Sequence, residues 1–156
     1  MKKKQNIAYG VIGLGRFGMA LAVMLAESGK EVIVIDRDEN KIKEMRQYTE
    51  YAFVADNLSS ETLREVGIQN CDVVIICIGE KVDVSILTTM SVIEMGVPRV
   101  ISKALSAEQG AVLKKLGAEV VYRRFVLEKN SCQAISWITF RSVTVLRYVR
   151  YRCQTA

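Results

Sequence analysis

Apolar residues follow two alternating rhythms along this chain. Short, largely apolar runs at residues 7–12, 31–35, 52–55, 73–78, 99–102 and 119–122 read as strands. The second run is apolar on both faces, which is what a parallel sheet covered on both sides requires. Between the runs the spacing widens to the helical period. Residues 17–27 place Leu21, Met24 and Leu25 on one face, and Ser28-Gly29-Lys30 stops that helix. A second helix starts after Asp38 or Asn40 and runs to 48, and a third opens at Ser59 or Ser60 with Glu61 in its first turn. A fourth covers 82–95 and breaks at Gly96-Val97-Pro98, and a fifth runs from a Ser106 cap to 116, where Gly117 ends it. Strands alternating with helices predict an α/β fold, a doubly wound Rossmann-like six-stranded parallel sheet with helices on both faces.

The turn between the first strand and first helix is Gly13-Leu14-Gly15-Arg16-Phe17-Gly18, a G-x-G-x-x-G run. Gly13 allows a tight turn, Gly15 lets the backbone approach a phosphate, and Gly18 lets helix and strand pack closely. The free N–H groups at the start of the helix favour an anion. Asp36 ends the second strand, 18 residues after Gly18, at the spacing of a carboxylate that accepts from ribose hydroxyls. Taken together, these features predict a nucleotide site.

In a doubly wound sheet the ligand crevice lies at the carboxyl ends of the strands, where strand order reverses. Asp36, Asp56-Asn57, Gly79-Glu80 and Ser102-Lys103 all directly follow predicted strands, so they are expected to gather there. Ordinary turn chemistry also places small and polar residues in such loops. Asp56, Glu80, Ser85 and Lys103 therefore keep both readings at this point.

Composition narrows the chemistry. The chain has 156 residues, enough for one domain with a buried core, and contains no histidine. Cys71, Cys77, Cys132 and Cys153 are scattered without a C-x-x-C pair, so a metal site is not expected and the cysteines read as small buried apolar residues. No apolar run approaches the ~18 residues of a membrane span, and no signal-peptide pattern follows the basic start, so a cytosolic protein is expected. The net charge of +5 is uneven: residues 1–122 hold 15 basic and 16 acidic residues, whereas 123–156 hold seven basic residues and Glu128.

The run VIGLGRFGMALA, with Val32-Ile33-Val34-Ile35-Asp36, Ala55-Asp56, residues 73–79, Leu87-Thr88-Thr89 and Lys114-Lys115-Leu116-Gly117-Ala118, resembles the regulator-of-potassium-conductance domain. That domain, also called TrkA-N, is the nucleotide-binding lobe of peripheral subunits in Ktr- and Trk-type bacterial potassium uptake systems. The resemblance spans residues 7–122. It implies a cytoplasmic, non-enzymatic regulatory subunit at the inner face of the cell membrane. It implies binding of ATP or ADP, or NAD(H), a homodimer that assembles into a ring, and docking on a membrane potassium-translocating subunit. By position, Gly13, Gly15 and Gly18 would line the phosphates, with Phe17 in the same turn, and Asp36 the ribose, with Arg37 beside it. Asp56 would sit near the adenine, with Asn57 next to it, and Gly79, Glu80 and Lys103 would complete the rim. Arg16 resembles the arginine that reaches a terminal phosphate across the dimer interface, a role suited to a bidentate, permanently charged guanidinium.

After Tyr122 the resemblance ends. Members continue with a Pro-Glu pair, whose glutamate can take part in cation binding, and a crossover helix. Here Arg123-Arg124-Phe125 leads into a segment rich in Arg, Ser, Thr and aromatics that lacks Gly and Pro. Two domains' worth of expectation follow: a nucleotide-binding lobe at 1–122, and an atypical basic tail at 123–156. The tail reads as the result of an altered reading frame or truncation, or else as a basic amphipathic segment that touches anionic lipid. An alternative function is a fragment of an NAD-dependent oxidoreductase, but with no histidine, no Tyr-x-x-x-Lys and no substrate domain, no catalytic residue is assigned. Nucleic-acid binding by the tail lacks any supporting motif and is not expected.

Overall fold

The structure, a computed structural model, describes residues 8–122. The expectations for Ile7 and for the tail 123–156 lie outside the described residues. Six strands and five α-helices alternate: β1 (Ala8–Ile12), α1 (Arg16–Glu27), β2 (Glu31–Asp36), α2 (Glu39–Met45), β3 (Ala52–Val54), α3 (Ser60–Val66), β4 (Val73–Ile76), α4 (Val82–Glu94), β5 (Arg99–Ala104), α5 (Ala107–Leu116) and β6 (Glu119–Tyr122). A single 3₁₀ turn, Ile68–Asn70, precedes β4. All pairings are parallel and the strand order is β3-β2-β1-β4-β5-β6. The chain winds outward from β1 to β3, then returns to place β4 against the other side of β1. That return is the point where strand order reverses, and it defines the crevice.

Adjacent strand residues point to opposite faces, and this sorts the core. Val11, Val34 and Ile75 meet α1 and α2 through Leu21, Ala22, Leu25, Ile42 and Met45. Their sequence neighbours Ile12, Ile35 and Ile76 meet α3 and α4 on the other face, through Leu63 and Val92. Burying each such aliphatic side chain contributes about 1.5–3 kcal/mol, so both faces of the sheet stabilise the fold. At the switch point α1 therefore leaves β1 toward one face while α4 leaves β4 toward the other, which opens the crevice between their starts.

Helix starts follow local chemistry. Asp38, Ser59 and Ser106 each accept a hydrogen bond from a backbone N–H in the first turn of α2, α3 and α5. The acids Glu39, Glu61 and Glu108 add favourable charge there. Two expected boundaries shift. α2 stops at Met45, with its continuation to Tyr48 in turn conformation. β5 runs on to Ala104 because its ladder with β6 continues through Ser102–Val120, Lys103–Val121 and Ala104–Tyr122. Ser102 and Lys103 are thus strand residues rather than a loop.

Candidate functional site

The glycine turn is built by close packing of backbone. Gly13 has φ +96°, a conformation that side chains disfavour, and its N–H donates to Ile35 O at 2.8 Å. A Cβ on Gly18 would collide with the Gly13 carbonyl oxygen and would also meet Cys77 Cβ at 3.1 Å. This near-contact holds the first turn of α1 against the end of β1. Gly15 differs: a Cβ there would have nothing within 4 Å. It is exposed, and it forms the N-cap of α1 without a side-chain hydrogen bond.

Among the five α-helices, α1 alone has neither a side-chain cap nor an acid in its first turn. Its leading N–H groups face the space over Gly15, and Arg16, exposed at the first helical position, adds positive charge. Those N–H groups need partners. A phosphate would supply them, and the helix dipole would favour it.

Asp36 ties the turn to β2. One carboxylate oxygen accepts from Leu14 N and the other from Asp38 N at 2.8 Å. A carboxylate offers about four acceptor positions, so each oxygen keeps capacity for a ribose hydroxyl. Arg37, the next residue, reaches Glu80 Oε2 at 3.7 Å, with both side chains largely exposed. That ion pair links the loops after β2 and β4.

On the other side of the crevice, Lys103 leans from β5 toward β4: its Nζ lies 3.5 Å from where a Cβ on Gly79 would stand. It is also close enough to Cys77 to favour thiolate, although burial wins and pushes the Cys77 thiol up to about 12. Cys71 is likewise pushed up to about 11, by burial first and by Asp72 second. Both are therefore inert thiols at neutral pH.

Of the residues expected at the site, Gly13, Gly15, Arg16, Gly18, Asp36, Arg37, Gly79, Glu80 and Lys103 come together at the switch point. Phe17 belongs to the turn, but its half-buried ring packs on the α1-side core. Asp56 and Asn57 stand farther out, exposed in the loop after β3, two strands from β1. The backbone still passes close, since Ala55 N donates to Asp36 O at 3.0 Å. Ser102 corrects the expectation that it lines the crevice: it is fully buried, 3.2 Å from Thr89 Oγ1.

Ser102 belongs to a buried polar cluster that the sequence reading did not assemble. Thr89 donates to Ser85 O at 2.7 Å, Gln109 Nε2 lies 3.4 Å from Ser85 Oγ, and Leu105 N donates to Gln109 Oε1 at 2.8 Å. These bonds join α4, β5 and the start of α5, fixing the strand that carries Lys103 and the helix that follows Glu80. The available signal was Ser85 and Thr89, polar residues one turn apart that share a face of α4. Among the described residues no group of His, Cys, Asp and Glu could hold a metal ion, and no helix is long and apolar enough to cross a membrane.

A parallel 3-2-1-4-5-6 sheet with a glycine turn at its switch point and an acid at the end of β2 defines a Rossmann-like domain. Residues 9–123 match the family model of the TrkA-N domain, and the chain belongs to that family. It is 40% identical over 119 residues to Ktr system potassium uptake protein C of Bacillus subtilis, and 40% identical over 111 residues to Ktr system potassium uptake protein A of Vibrio alginolyticus. These alignments cover 76% and 71% of this chain but 52% and 50% of the relatives, so the chain spans about half the length of the relatives it matches. The same fold occurs in the GsuK channel bound to NAD (TM-score 0.62, 24% identity, 78% of this chain and 22% of that one). It occurs also in GsuK bound to ADP (TM-score 0.61, 24% identity, 77% and 31%).

Proposed function

We propose that the first 122 residues form the adenine-nucleotide-sensing lobe of a regulatory subunit for membrane potassium uptake. The observation that carries this reading is the bare N-terminus of α1 above the open Gly15, with Asp36 fixed beside it. The α1 N–H groups and Lys103 would hold phosphates, and Asp36 would accept from the ribose. Arg16 would contact a terminal phosphate, in the same subunit or its neighbour, and so distinguish ATP from ADP. NAD and ADP in the GsuK structures support a dinucleotide or diphosphate occupant of this fold. The Ktr relatives support potassium uptake as the process served.

A switch requires two states that its ligands bind with different affinity. We place the second state in subunit assembly: homodimers closing into a ring at the cytoplasmic face, docked on the potassium-translocating subunit. Exposed apolar side chains on α4 and α5, namely Val82, Leu87, Met90 and Val112, support a face that meets another protein surface. The role is regulation rather than catalysis, a reading that the Ktr system relatives support.

Thermal unfolding of the purified chain with ATP, ADP, NADH and NAD tests this reading, with Arg16→Ala alongside. Adenine nucleotides are expected to raise the midpoint, and the substitution to erase the difference between ATP and ADP. A shift with NADH alone, indifferent to Arg16, would overturn the ATP-sensor form of the proposal.

A further inference from the structure

The Arg37–Glu80 pair has a position that the proposed phosphate contacts do not use. β2 and β4 are the two neighbours of β1, about 10 Å apart across the sheet. A pair joining the loops that follow them therefore crosses above the end of β1, where the glycine turn lies. The backbone that carries Arg37 is anchored, because Asp36 on one side accepts from Asp38 N on the other. Arg37 thus sits on a fixed segment, next to the carboxylate at the ribose edge.

In sites of this architecture the acid at the end of β2 selects a ribose 2′-hydroxyl, whereas an arginine close by accommodates a 2′-phosphate. This chain has both residue types side by side. A 2′-phosphate beside Asp36 meets like charge and needs a cation to offset it. Arg37 is the adjacent cation, and its guanidinium is turned to Glu80, with Nη2 3.7 Å from Oε2. Lys103 serves the opposite side of the crevice, over Gly79.

We infer that Glu80 is a specificity-determining residue: by engaging Arg37 it withholds the guanidinium from the ribose edge, so the site selects nucleotides with a free 2′-hydroxyl. The inference rests on the adenine-nucleotide reading of the crevice. Both partners are exposed, so the discrimination that the pair adds is modest, about fivefold at most.

The test compares dissociation constants for adenosine 5′-monophosphate and adenosine 2′,5′-bisphosphate, which differ only in the 2′-phosphate. It uses the full chain as wild type, Glu80→Gln, Glu39→Gln and the double variant Arg37→Gln/Glu80→Gln. Wild type is expected to favour the monophosphate, and Glu80→Gln to narrow that preference by about fivefold. Glu39→Gln removes the same charge from a side chain that pairs with Lys43 instead, and should leave the ratio unchanged. The double variant should recover the wild-type ratio. An unchanged ratio in Glu80→Gln overturns the inference. So does an equal shift in Glu39→Gln, which would mark bulk charge as the cause, or a gain that persists without Arg37. If wild type binds neither compound, the adenine-nucleotide reading itself fails, a result distinct from binding without Glu80-dependent discrimination.

Discussion

The two sides of the crevice are built by different means. On the β1 side, Gly13, Gly18 and Cys77 interlock, leaving no space for an added methyl group. On the rim formed by the loops after β2 and β4 and by the end of β5, Arg37, Glu80 and Lys103 are side chains that reach across gaps, two of them largely exposed. The first side is fixed by backbone packing, so a change there acts on the fold before it acts on a ligand. The second is fixed by charge, so a change there acts on ligands and leaves the fold nearly untouched. Between them lies Asp36, whose hydrogen bonds serve both.

Substitutions can break this contrast in order of size. Gly18→Ala forces a methyl into the Gly13 carbonyl and should destabilise the domain by about 3 kcal/mol, the upper end for overpacking. Denaturant unfolding would measure it. Gly110→Ala is the instructive companion: its added methyl would meet the Tyr122 hydroxyl, the far end of a half-exposed side chain that can swing away. It should cost far less. Gln109→Leu removes the acceptor of the part-buried Leu105 N–H and the partner of the buried Ser85 Oγ, and should cost about 2 kcal/mol in the same experiment.

Asp36→Asn is expected to act on both sides. It places an amide N–H where a backbone N–H now donates, costing about 1–2 kcal/mol of stability, and nucleotide affinity by calorimetry should fall about tenfold or more. If only affinity changed, Asp36 would belong to the rim alone. Arg16→Ala should leave unfolding of the free protein within about 0.5 kcal/mol of wild type, as an exposed surface change does.

Another small effect belongs far from the crevice, at Arg99–Glu119, where paired bonds of 2.6 and 2.9 Å join β5 and β6. The hydrogen bond from Arg99 holds the Glu119 carboxyl below its usual range. Its contribution is therefore complete above the ordinary glutamate pKa and is lost as pH falls through the lowered value. Glu119→Gln should cost under about 1 kcal/mol at neutral pH, and the gap to wild type should close in acid.

Much of this was legible in the sequence because it is local. Runs such as Val73 to Ile76 are apolar on both faces, and the glycine turn sits directly between strand and helix, so strand count and the crevice's position followed. Lys103 was also placed at the rim, though from a loop rather than from within β5. The strand continues there because Ser102 finds a hydroxyl partner in the interior and Lys103 carries its charge to the crevice edge. The rest depends on partners distant along the chain. Asp36 bonds Leu14 22 residues away, and Gln109 reaches Ser85 across 24. Nothing in the spacing of a single glutamine announces that it closes a buried network.

Cys77 has a use that its inertness creates. Its backbone and Cβ lie against the glycine turn, and its thiol is buried and held protonated, so a thiol reagent can reach it only while the packing around the turn opens. Its alkylation rate, followed by peptide-resolved mass spectrometry, is therefore a clock for that opening. An occupant that grips the turn would slow the clock, and one that rests on the rim alone would leave it running at its original pace.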